Sequence, residues 1–373
     1  MNKLLNKGLL AAALAVGFVS MSHARPGEAV GSQSGKKVRS NKTVEELCQP
    51  SRAQTDLDLN NVRTTIMGGG DMWWDLNTAR YEVPKGSNKH SMFAGALWLG
   101  GVDEGNQLKL AAMTYRQRGN DYWPGPLSDD GKATTDKDIC DNYDLHWILL
   151  REEVEIHKAW LECLDDADCI EAEEFPGYES QIPTSILEWP GNGKDGELPY
   201  VLAPFIDRDG DQFYDPFIDY PAYDIDKEFD CTQKETDILY GDQTIWWVYN
   251  DRGNVHTETA AGALGFEIRA QAFAFSTNDE VNNMTFNNYR ILNKSTFRLT
   301  DTYFSTWFDA DLGNAQDDII TTELHLPVGQ PILFKMRSQD VLHSAYMPHF
   351  RAQMNCVPGM ITQFAFTPTV TTE

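Results

Sequence analysis

Alternation of apolar and polar residues after Gly262 constrains the fold of this chain more than any other feature. Three segments show it, with turn-forming stretches between them: "GFEIRAQAFAFS", "NMTFNNYRIL" and "DTYFSTWFD". Side chains of a β-strand point alternately to opposite faces, so the pattern predicts three antiparallel strands. Upstream, "SMFAGALWLGGV" and "LKLAAMTYR" have hairpin character around turn residues. We therefore expect residues 63–316 to be mainly β, a β-sandwich-like domain.

One amphipathic helix is predicted between Leu145 and Asp165, as an insertion into the β pattern. The following residues recur there every three or four positions on one, mainly apolar, face: Leu150, Val154, His157, Leu161 and Leu164. We expect His157 to be a packing residue, because no second metal ligand lies at a suitable spacing from it.

The first 24 residues have the three parts of a secretory signal. Lys3 and Lys7 form a basic start, "GLLAAALAVGFV" an apolar run, and Ser22-His23-Ala24 a cleavage site. The run is too short for a membrane span of about 20 residues, and nothing later reaches that length. We expect an exported protein, in the periplasm, at the cell surface or secreted, with no transmembrane helix in the mature chain. Residues 25–62 have the composition of a flexible linker.

The net charge of −25 disfavours nucleic acid as a partner, because phosphate binding needs clustered basic residues. Export would expose the cysteines to an oxidising compartment. They are Cys48, Cys140, Cys163, Cys169, Cys231 and Cys356. Cys163 and Cys169 bracket "LDDAD", and we predict a disulfide between them. Free thiols are the alternative, since spacing alone does not fix partners.

The acidic stretch "FIDRDGDQFYDPFIDYPAYDI" has the ligands that Ca²⁺ prefers, which are hard oxygens. Its carboxylates at positions 1, 3, 5 and 9 of a loop are the predicted calcium ligands: Asp207, Asp209, Asp211 and Asp215. Gly210 permits a tight turn, and Asp219 and Asp224 could supply further ligands. Ile218 at position 12, where an EF-hand has Glu, argues against a helix-loop-helix site. A solvated acidic turn is the alternative.

Two other groups of residues have the composition of binding sites, but neither is predicted to be one. The first is a looser acidic cluster that we expect to be solvated: Asp309, Asp311, Asp317 and Asp318. The second comprises two tryptophan pairs that could stack on sugars but are expected in the core: Trp73, Trp74, Trp246 and Trp247. No Ser-His-Asp arrangement, nucleophile elbow or His-Glu-x-x-His pattern supports a hydrolase, and no catalytic residue is assigned.

Five phrases between residues 62 and 314 resemble the N-terminal part of large exported proteins of bacteria that use type IX secretion. They are "IMGGGDMWWDL", "SMFAGALWLGG", "FIDRDGDQFYDP", "GDQTIWWVYND" and "FEIRAQAFAFSTNDEVNNMTF". The resemblance implies secreted or cell-surface placement and an unknown surface ligand. It does not indicate a catalytic activity or a particular ligand.

The stretch "ELHLPVGQPILFKMRSQDVLHSAYMPHFRAQMNCVPGM", followed by "FAFTPT", is similar to the copper A domain of cytochrome c oxidase subunit II. The resemblance covers residues 317–373. In that family a cupredoxin-like β-barrel holds two copper ions that accept electrons from cytochrome c. The resemblance therefore implies copper as cofactor, and oxidase subunit I and cytochrome c as partners. In the residues themselves, "ELHLP" and "PILFKMRS" alternate like two strands around Pro327-Val328-Gly329.

By that resemblance His343 corresponds to the first histidine ligand of copper, expected in a loop after the second strand. His325, His349 and Cys356 fall on no ligand position. The family's other ligands, two Cys, a Glu, a second His and a Met, belong to a downstream segment that this sequence does not contain. We expect an incomplete cupredoxin-like fragment without electron transfer.

The surface-protein pattern and the oxidase pattern meet at Asp317-Asp318, which predicts a junction of unrelated coding sequences, either a real fusion or an assembly error. The two membrane helices that normally precede the oxidase domain are also not found in the residues before this stretch. The alternative function is that of a non-enzymatic, calcium-stabilised β protein, secreted or at the cell surface, with an unknown ligand.

Overall fold

A computed structural model describes the following residues of the chain: 47–116, 118–223, 238–313, 325–338, 342–347, 350 and 352–370. The predicted secretory signal, residues 1–24, lies outside them, and so does most of the predicted linker. Five residues named above also lie outside the described ranges: Asp224, Cys231, Asp317, Asp318 and His349.

The described residues form eighteen strands and four α-helices. The strands are β1 (Gln54–Leu57), β2 (Arg63–Met67), β3 (Asp71–Met72), β4 (Tyr81–Glu82), β5 (His90–Val102), β6 (Leu108–Ala111), β7 (Trp123–Pro124), β8 (Trp147–Leu150), β9 (Phe205–Ile206), β10 (Tyr220–Pro221), β11 (Gln243–Asn250), β12 (Phe266–Ala274), β13 (Phe286–Asn293), β14 (Thr300–Gly313), β15 (Ile332–Met336), β16 (His343–Met347), β17 (Ala352–Cys356) and β18 (Thr362–Phe366). The helices are α1 (Lys137–Asn142), α2 (Arg151–Asp165), α3 (Glu171–Glu174) and α4 (Thr184–Leu187), with 3₁₀ turns at Tyr178–Gln181 and Glu280–Asn283.

Two antiparallel sheets pack face to face, as the sequence predicted. In the seven-stranded sheet, β1, β2, β3, β5 and β14 follow one another, β4 pairs with β2 and β5, and β6 pairs with β5. In the five-stranded sheet the order is β13, β12, β11 and β7, and β8 also pairs with β11. The core between the sheets is apolar and includes Leu57, Ile66, Leu97, Met113, Tyr122, Trp247, Tyr249 and Ile268. The mainly β fold with sandwich character is confirmed.

Strand β11 is buried on both faces. Trp247 lies in the core between the sheets, whereas its neighbour Trp246 lies in a second core against α2 and α4. This follows because successive side chains of a strand face opposite sides. Trp74, Trp246 and Trp247 are 1%, 3% and 1% exposed, and Trp73 packs partly buried against the first core. The tryptophan pairs are therefore core residues, as predicted.

The helical insertion begins later than the sequence predicted. Residues 147–150 form β8, which pairs with β11, and α2 starts at Arg151. Trp147 and Leu149 are buried whereas Ile148 is exposed, so these residues follow the period of a strand. Val154, His157 and Leu161 lie on the buried face of α2 as predicted, whereas Leu164, which was predicted on the same face, is 51% exposed.

Ordered structure begins earlier than the predicted boundary at residue 62. Strand β1 pairs with β2, and Cys48 forms a disulfide with Cys140 in α1. The carboxylate of Asp144 accepts a hydrogen bond from the backbone N–H of Arg52 at 2.9 Å. The disulfide, the strand pairing and this carboxylate fix a segment whose composition alone indicated a linker.

The predicted disulfide between Cys163 and Cys169 is confirmed, and it closes the turn that follows α2. Cys356 is the free cysteine of the described residues. Within the same ranges, the helices are all too short or too polar to span a membrane.

The described residues between 325 and 370 form two antiparallel ladders after a reverse turn. Strand β15 pairs with β18, and β16 pairs with β17. The turn at 328–330 agrees with the prediction, but the described residues before it, 325–327, do not form the predicted strand. The reason is that β15 pairs with a distant partner, since Ile332 lies opposite Phe366. Glu323 and Leu324 lie outside the described residues.

Candidate metal centres

The two C-terminal ladders bury one face only partly. Side chains on that face alternate with exposed ones along each strand, and they include Ile332, Phe334, Met336, Met347, Met354, Phe364 and Phe366. Phe366 lies 5.4 Å from Phe334 and 4.3 Å from Phe350 between ring centroids. The opposite side exposes large apolar side chains, such as Leu333 at 54% and Tyr346 at 67%. A small aromatic cluster thus holds the ladders.

His343, the predicted copper ligand, is the first residue of β16 rather than part of a loop. Its pairing with Cys356, the last residue of β17, is what begins the strand there. Directly opposite residues of an antiparallel pair have Cβ atoms about 4.5–5.5 Å apart and share a face. The imidazole and the thiol therefore project from the same side of one hairpin.

The structure brings Cys356, which received no ligand role from the sequence, next to His343. The signal was present in the sequence, because "HSAYM" and "AQMNC" are short alternating segments whose ends meet if they form a hairpin. Met354 lies two residues before Cys356 and so shares its face. Imidazole, thiolate and thioether groups are ligands of soft transition metals. His325 is exposed and belongs to neither ladder.

The acidic loop connects β9 to β10, two short strands whose pairing brings the ends of the loop together. Ile206 lies opposite Tyr220 in this pair. Asp207 follows β9 directly and Asp219 precedes β10 directly, so the strand pairing places these two residues next to each other. Carboxylate oxygens of Asp207, Asp209 and Asp219 lie within 4.8 Å of one another, and this is the one such acidic group among the residues that the structure describes.

Of the four predicted calcium ligands, the structure brings Asp207 and Asp209 together and leaves Asp211 and Asp215 outside the group. Asp211 Oδ1 accepts a hydrogen bond from the N–H of Phe213 at 2.7 Å. Asp215 Oδ1 accepts one from the N–H of Phe217 at 2.9 Å. Each carboxylate thus caps the backbone two residues downstream, which is the local turn chemistry of aspartate.

Asp219 takes the third position of the group, although the sequence offered it only as an additional ligand. It is 1% exposed and accepts hydrogen bonds from the N–H groups of Arg208 and Asp215 at 2.8 and 3.0 Å. Burial raises the pKa of the Asp219 carboxyl, and the charges of Asp207 and Asp209 raise it further, against those two hydrogen bonds. A divalent cation between the three carboxylates would remove the repulsion.

Helix α2 packs against the acidic loop through His157. His157 is fully buried, and its Nε2 lies 2.8 Å from the carbonyl oxygen of Pro216. Its ring packs on Trp160 and Tyr178. Burial lowers the pKa of His157, which favours the neutral ring. His157 is therefore a packing residue, as the sequence indicated, and it contacts the loop through the carbonyl oxygen of Pro216.

The second acidic cluster does not form a group in the described residues. The Asp309 carboxylate accepts a hydrogen bond from the Tyr115 hydroxyl, and burial together with this bond raises the pKa of Tyr115 to about 12. Two other members of that cluster, Asp317 and Asp318, lie outside the described ranges. Asp309 thus has a structural partner.

Comparison with known proteins finds similarity in the C-terminal region. The family model described as cytochrome C oxidase subunit II, periplasmic domain, matches residues 278–372. The matched range begins before β13 and β14, which belong to the two sheets of the sandwich. The C-terminal region is therefore similar to the periplasmic, copper A-type domain of subunit II.

Two curated relatives agree with this result. The "Alternative cytochrome c oxidase subunit 2" of Bradyrhizobium diazoefficiens is 49% identical over 57 residues, which are 15% of this chain and 21% of the relative. The "Cytochrome c oxidase subunit 2" of Thermostichus vulcanus is 39% identical over 44 residues, which are 12% of this chain and 14% of the relative. The chain thus spans about a fifth or less of the length of these relatives. No solved structure matches the chain significantly.

Proposed function

We propose that residues 325–370 form part of a copper A domain of the cytochrome c oxidase subunit II type, in which His343 supplies one copper ligand. The match of the subunit II periplasmic domain to residues 278–372 carries this proposal, because that range contains His343. In this family the copper centre accepts electrons from cytochrome c. Cytochrome c and oxidase subunit I are accordingly the proposed partners of a complete domain.

The donor set in the described residues does not fit a binuclear copper centre. Such a centre needs two thiolates that bridge the metals, and the described ranges hold one free thiol, that of Cys356. The resemblance assigns His343 alone to copper. We therefore propose that the described residues do not by themselves hold a binuclear copper centre, and no electron-transfer step is derived for them.

Copper reconstitution tests this proposal. The 373-residue chain and a version extended by the ligand-bearing segment of an oxidase subunit II are each loaded with copper under anaerobic conditions. Electron paramagnetic resonance and absorption spectra then report the centre. We expect the mixed-valence copper A signal only in the extended chain. The same signal from the 373-residue chain would show that it contains more copper ligands than His343.

Two variants of the extended chain make the test specific to His343. His343→Ala removes the assigned imidazole and should abolish the mixed-valence signal. His325→Ala removes an exposed imidazole that lies in neither ladder, and it should leave the signal unchanged. A signal that survives His343→Ala would show that the subunit II ligand pattern does not apply to this segment.

A second proposed function is calcium binding by the acidic loop, which would stabilise the sandwich. The observation in its favour is the convergence of three carboxylates, one of them buried, at the paired ends of β9 and β10. Oxygen ligands of this kind suit Ca²⁺, with Asp211 and Asp215 proposed as ligands that turn toward the ion when it binds. Thermal unfolding with and without calcium tests it.

We also propose that residues 63–313 are an exported, non-enzymatic β domain with an unknown surface ligand. The secretory pattern at residues 1–24 and two disulfides, which form in oxidising compartments, support this. Fractionation with amino-terminal sequencing tests export, and a mature chain that starts at Arg25 is expected. Sequencing reads across the codons for residues 310–325 test the proposed junction: unbroken reads favour a fusion, and a change in read depth favours an assembly error.

A further inference from the structure

A cavity of about 500 Å³ is lined by residues of three strands of the seven-stranded sheet, β5, β6 and β14, and by none of the proposed metal ligands. Its floor is Gly100 of β5, which lies opposite Leu110 of β6 on one side and Tyr303 of β14 on the other. A Cβ atom at position 100 would come within 2.8 Å of the Leu110 side chain. A side chain at this position would collide with Leu110, so glycine is what allows Leu110 to pack closely over β5 at the base of the cavity.

The walls of the cavity are apolar and held in place. Trp98 lies next to Gly100 on the same face of β5, and its ring stacks on Trp307 with an interplanar angle of 4°. The indole N–H of Trp98 donates to the carbonyl oxygen of Met113 at 2.7 Å. Tyr303 at the mouth is 72% exposed. A fixed aromatic wall with an open mouth suits a small organic ligand.

One carboxylate in the cavity lining has an unused oxygen. Glu258 Oε1 accepts a hydrogen bond from the Thr114 hydroxyl at 2.7 Å. Glu258 Oε2 is shielded from solvent and has no hydrogen-bond partner among the described residues. A shielded carboxylate oxygen without a donor is unfavourable, and a cationic N–H group that reaches it would form a strong, charge-assisted hydrogen bond.

The charge of the lining and of the whole chain defines the ligand class. Asp301 also lines the cavity, and the formal net charge of the chain is −25. Such a field attracts cations and repels carboxylates and phosphates. The apolar walls in turn favour a hydrophobic body over a small, strongly hydrated ion.

We propose that this cavity binds a small amphiphilic amine. The apolar or aromatic body of the amine lies between Trp98, Leu110 and Tyr303, and its ammonium group donates a hydrogen bond to the Glu258 carboxylate, which turns its Oε2 into the cavity when the amine binds. The site is separate from the copper and calcium proposals and does not depend on either.

Isothermal titration calorimetry on the full chain at pH 7 tests the site with three probes of similar shape. They are 2-phenylethylamine, 2-phenylethanol and 3-phenylpropionate. We expect the amine to bind at least tenfold more tightly than the alcohol, and the carboxylate to show no binding. Absent binding of the amine, equal affinities for amine and alcohol, or binding of the carboxylate would each overturn the proposal.

Three variants assign the interaction to its residues. Glu258→Gln keeps the shape of the side chain and should lower the affinity for the amine at least tenfold, without changing that for the alcohol. Glu104→Gln removes an exposed carboxylate outside the lining and should change neither. Tyr303→Ala should weaken amine and alcohol alike. If Glu258→Gln does not fold, as judged by circular dichroism, the three probes on the unmodified chain decide alone.

Discussion

Replacing Asp209 with Asn separates a calcium site from a solvated acidic turn, because only a calcium site makes the effect of the substitution depend on calcium. Asp209 is exposed, and its Oδ1 accepts a hydrogen bond from the N–H of Asp211 at 3.2 Å. An Asn amide oxygen can accept the same bond. The substitution therefore removes one charge from the group with Asp207 and Asp219 and leaves the turn intact.

The expected magnitudes follow from the geometry of the group. Its carboxylate oxygens lie within 4.8 Å of one another, so each pair of charges repels by about 1 kcal/mol in a water-like medium. Without calcium, Asp209→Asn relieves two such pairs and should raise the free energy of unfolding by about 1–2 kcal/mol. With calcium at a hundred times its dissociation constant, the unmodified protein gains about 2.7 kcal/mol. A variant that binds tenfold more weakly gains about 1.4 kcal/mol at the same concentration.

Differential scanning calorimetry in chelator and in millimolar calcium measures both effects. At roughly 2 °C per kcal/mol, calcium should raise the melting temperature of the unmodified protein by about 5 °C and that of the variant by about 3 °C. Asp195→Asn, at an exposed carboxylate outside the group, is the matched control. If calcium shifts the unmodified protein and the variant equally, or shifts neither, the carboxylate group does not bind calcium.

The pH dependence gives an independent check on the same site. The pKa of Asp219 is raised in the folded state, so in chelator its contribution favours folding at low pH and is lost as the pH rises through the folded pKa. Calcium competes with the proton for this carboxylate. The calcium-induced shift should therefore be larger at pH 7 than near pH 4, and a shift that is independent of pH would contradict the role of Asp219.

Three further predictions concern stability, each measured by urea unfolding. Burial lowers the pKa of His146 from 6.5 to about 4, so stability should be lost as the pH falls through this window, by up to about 3 kcal/mol; a flat profile would contradict the burial of its ring. Asp71→Asn should cost about 3–5 kcal/mol, because it leaves the Arg116 guanidinium, 2.7 Å from the fully buried carboxylate, without a counter-charge. A cost below about 1 kcal/mol would mean that water reaches the pair. Replacing both Cys48 and Cys140 with Ala should cost about 4–5 kcal/mol for a separation of 92 residues, and an unchanged midpoint would show that the bond is absent in solution.

The sequence predicted those parts of the fold in which one periodicity extends over many residues. The alternating segments became β12, β13 and β14, and the period of three to four residues became α2. It could not predict β3, β4, β7, β9 and β10, because a strand of two residues has no periodicity. It also misassigned residues 147–150, where an apolar run fits a helix and a strand equally well until pairing with β11 decides.

The candidate sites show the same limit at the level of single residues. Asp207 and Asp209 were found because their spacing lies within one loop. Asp219 joins them only through the pairing of β9 with β10, and Cys356 joins His343 only through the register of β16 with β17. Contacts of this kind depend on strand register, which a motif of fixed spacing does not encode.

The pairing of the cysteines has a consequence for how the chain matures. Each of the two disulfides joins neighbouring cysteines in the order of the sequence: Cys48 with Cys140, and then Cys163 with Cys169. For a chain that emerges amino terminus first, Cys48 and Cys163 each meet their correct partner as the next cysteine to appear. Oxidation during emergence therefore gives the native pattern directly, without the slow exchange steps that an interleaved pattern requires.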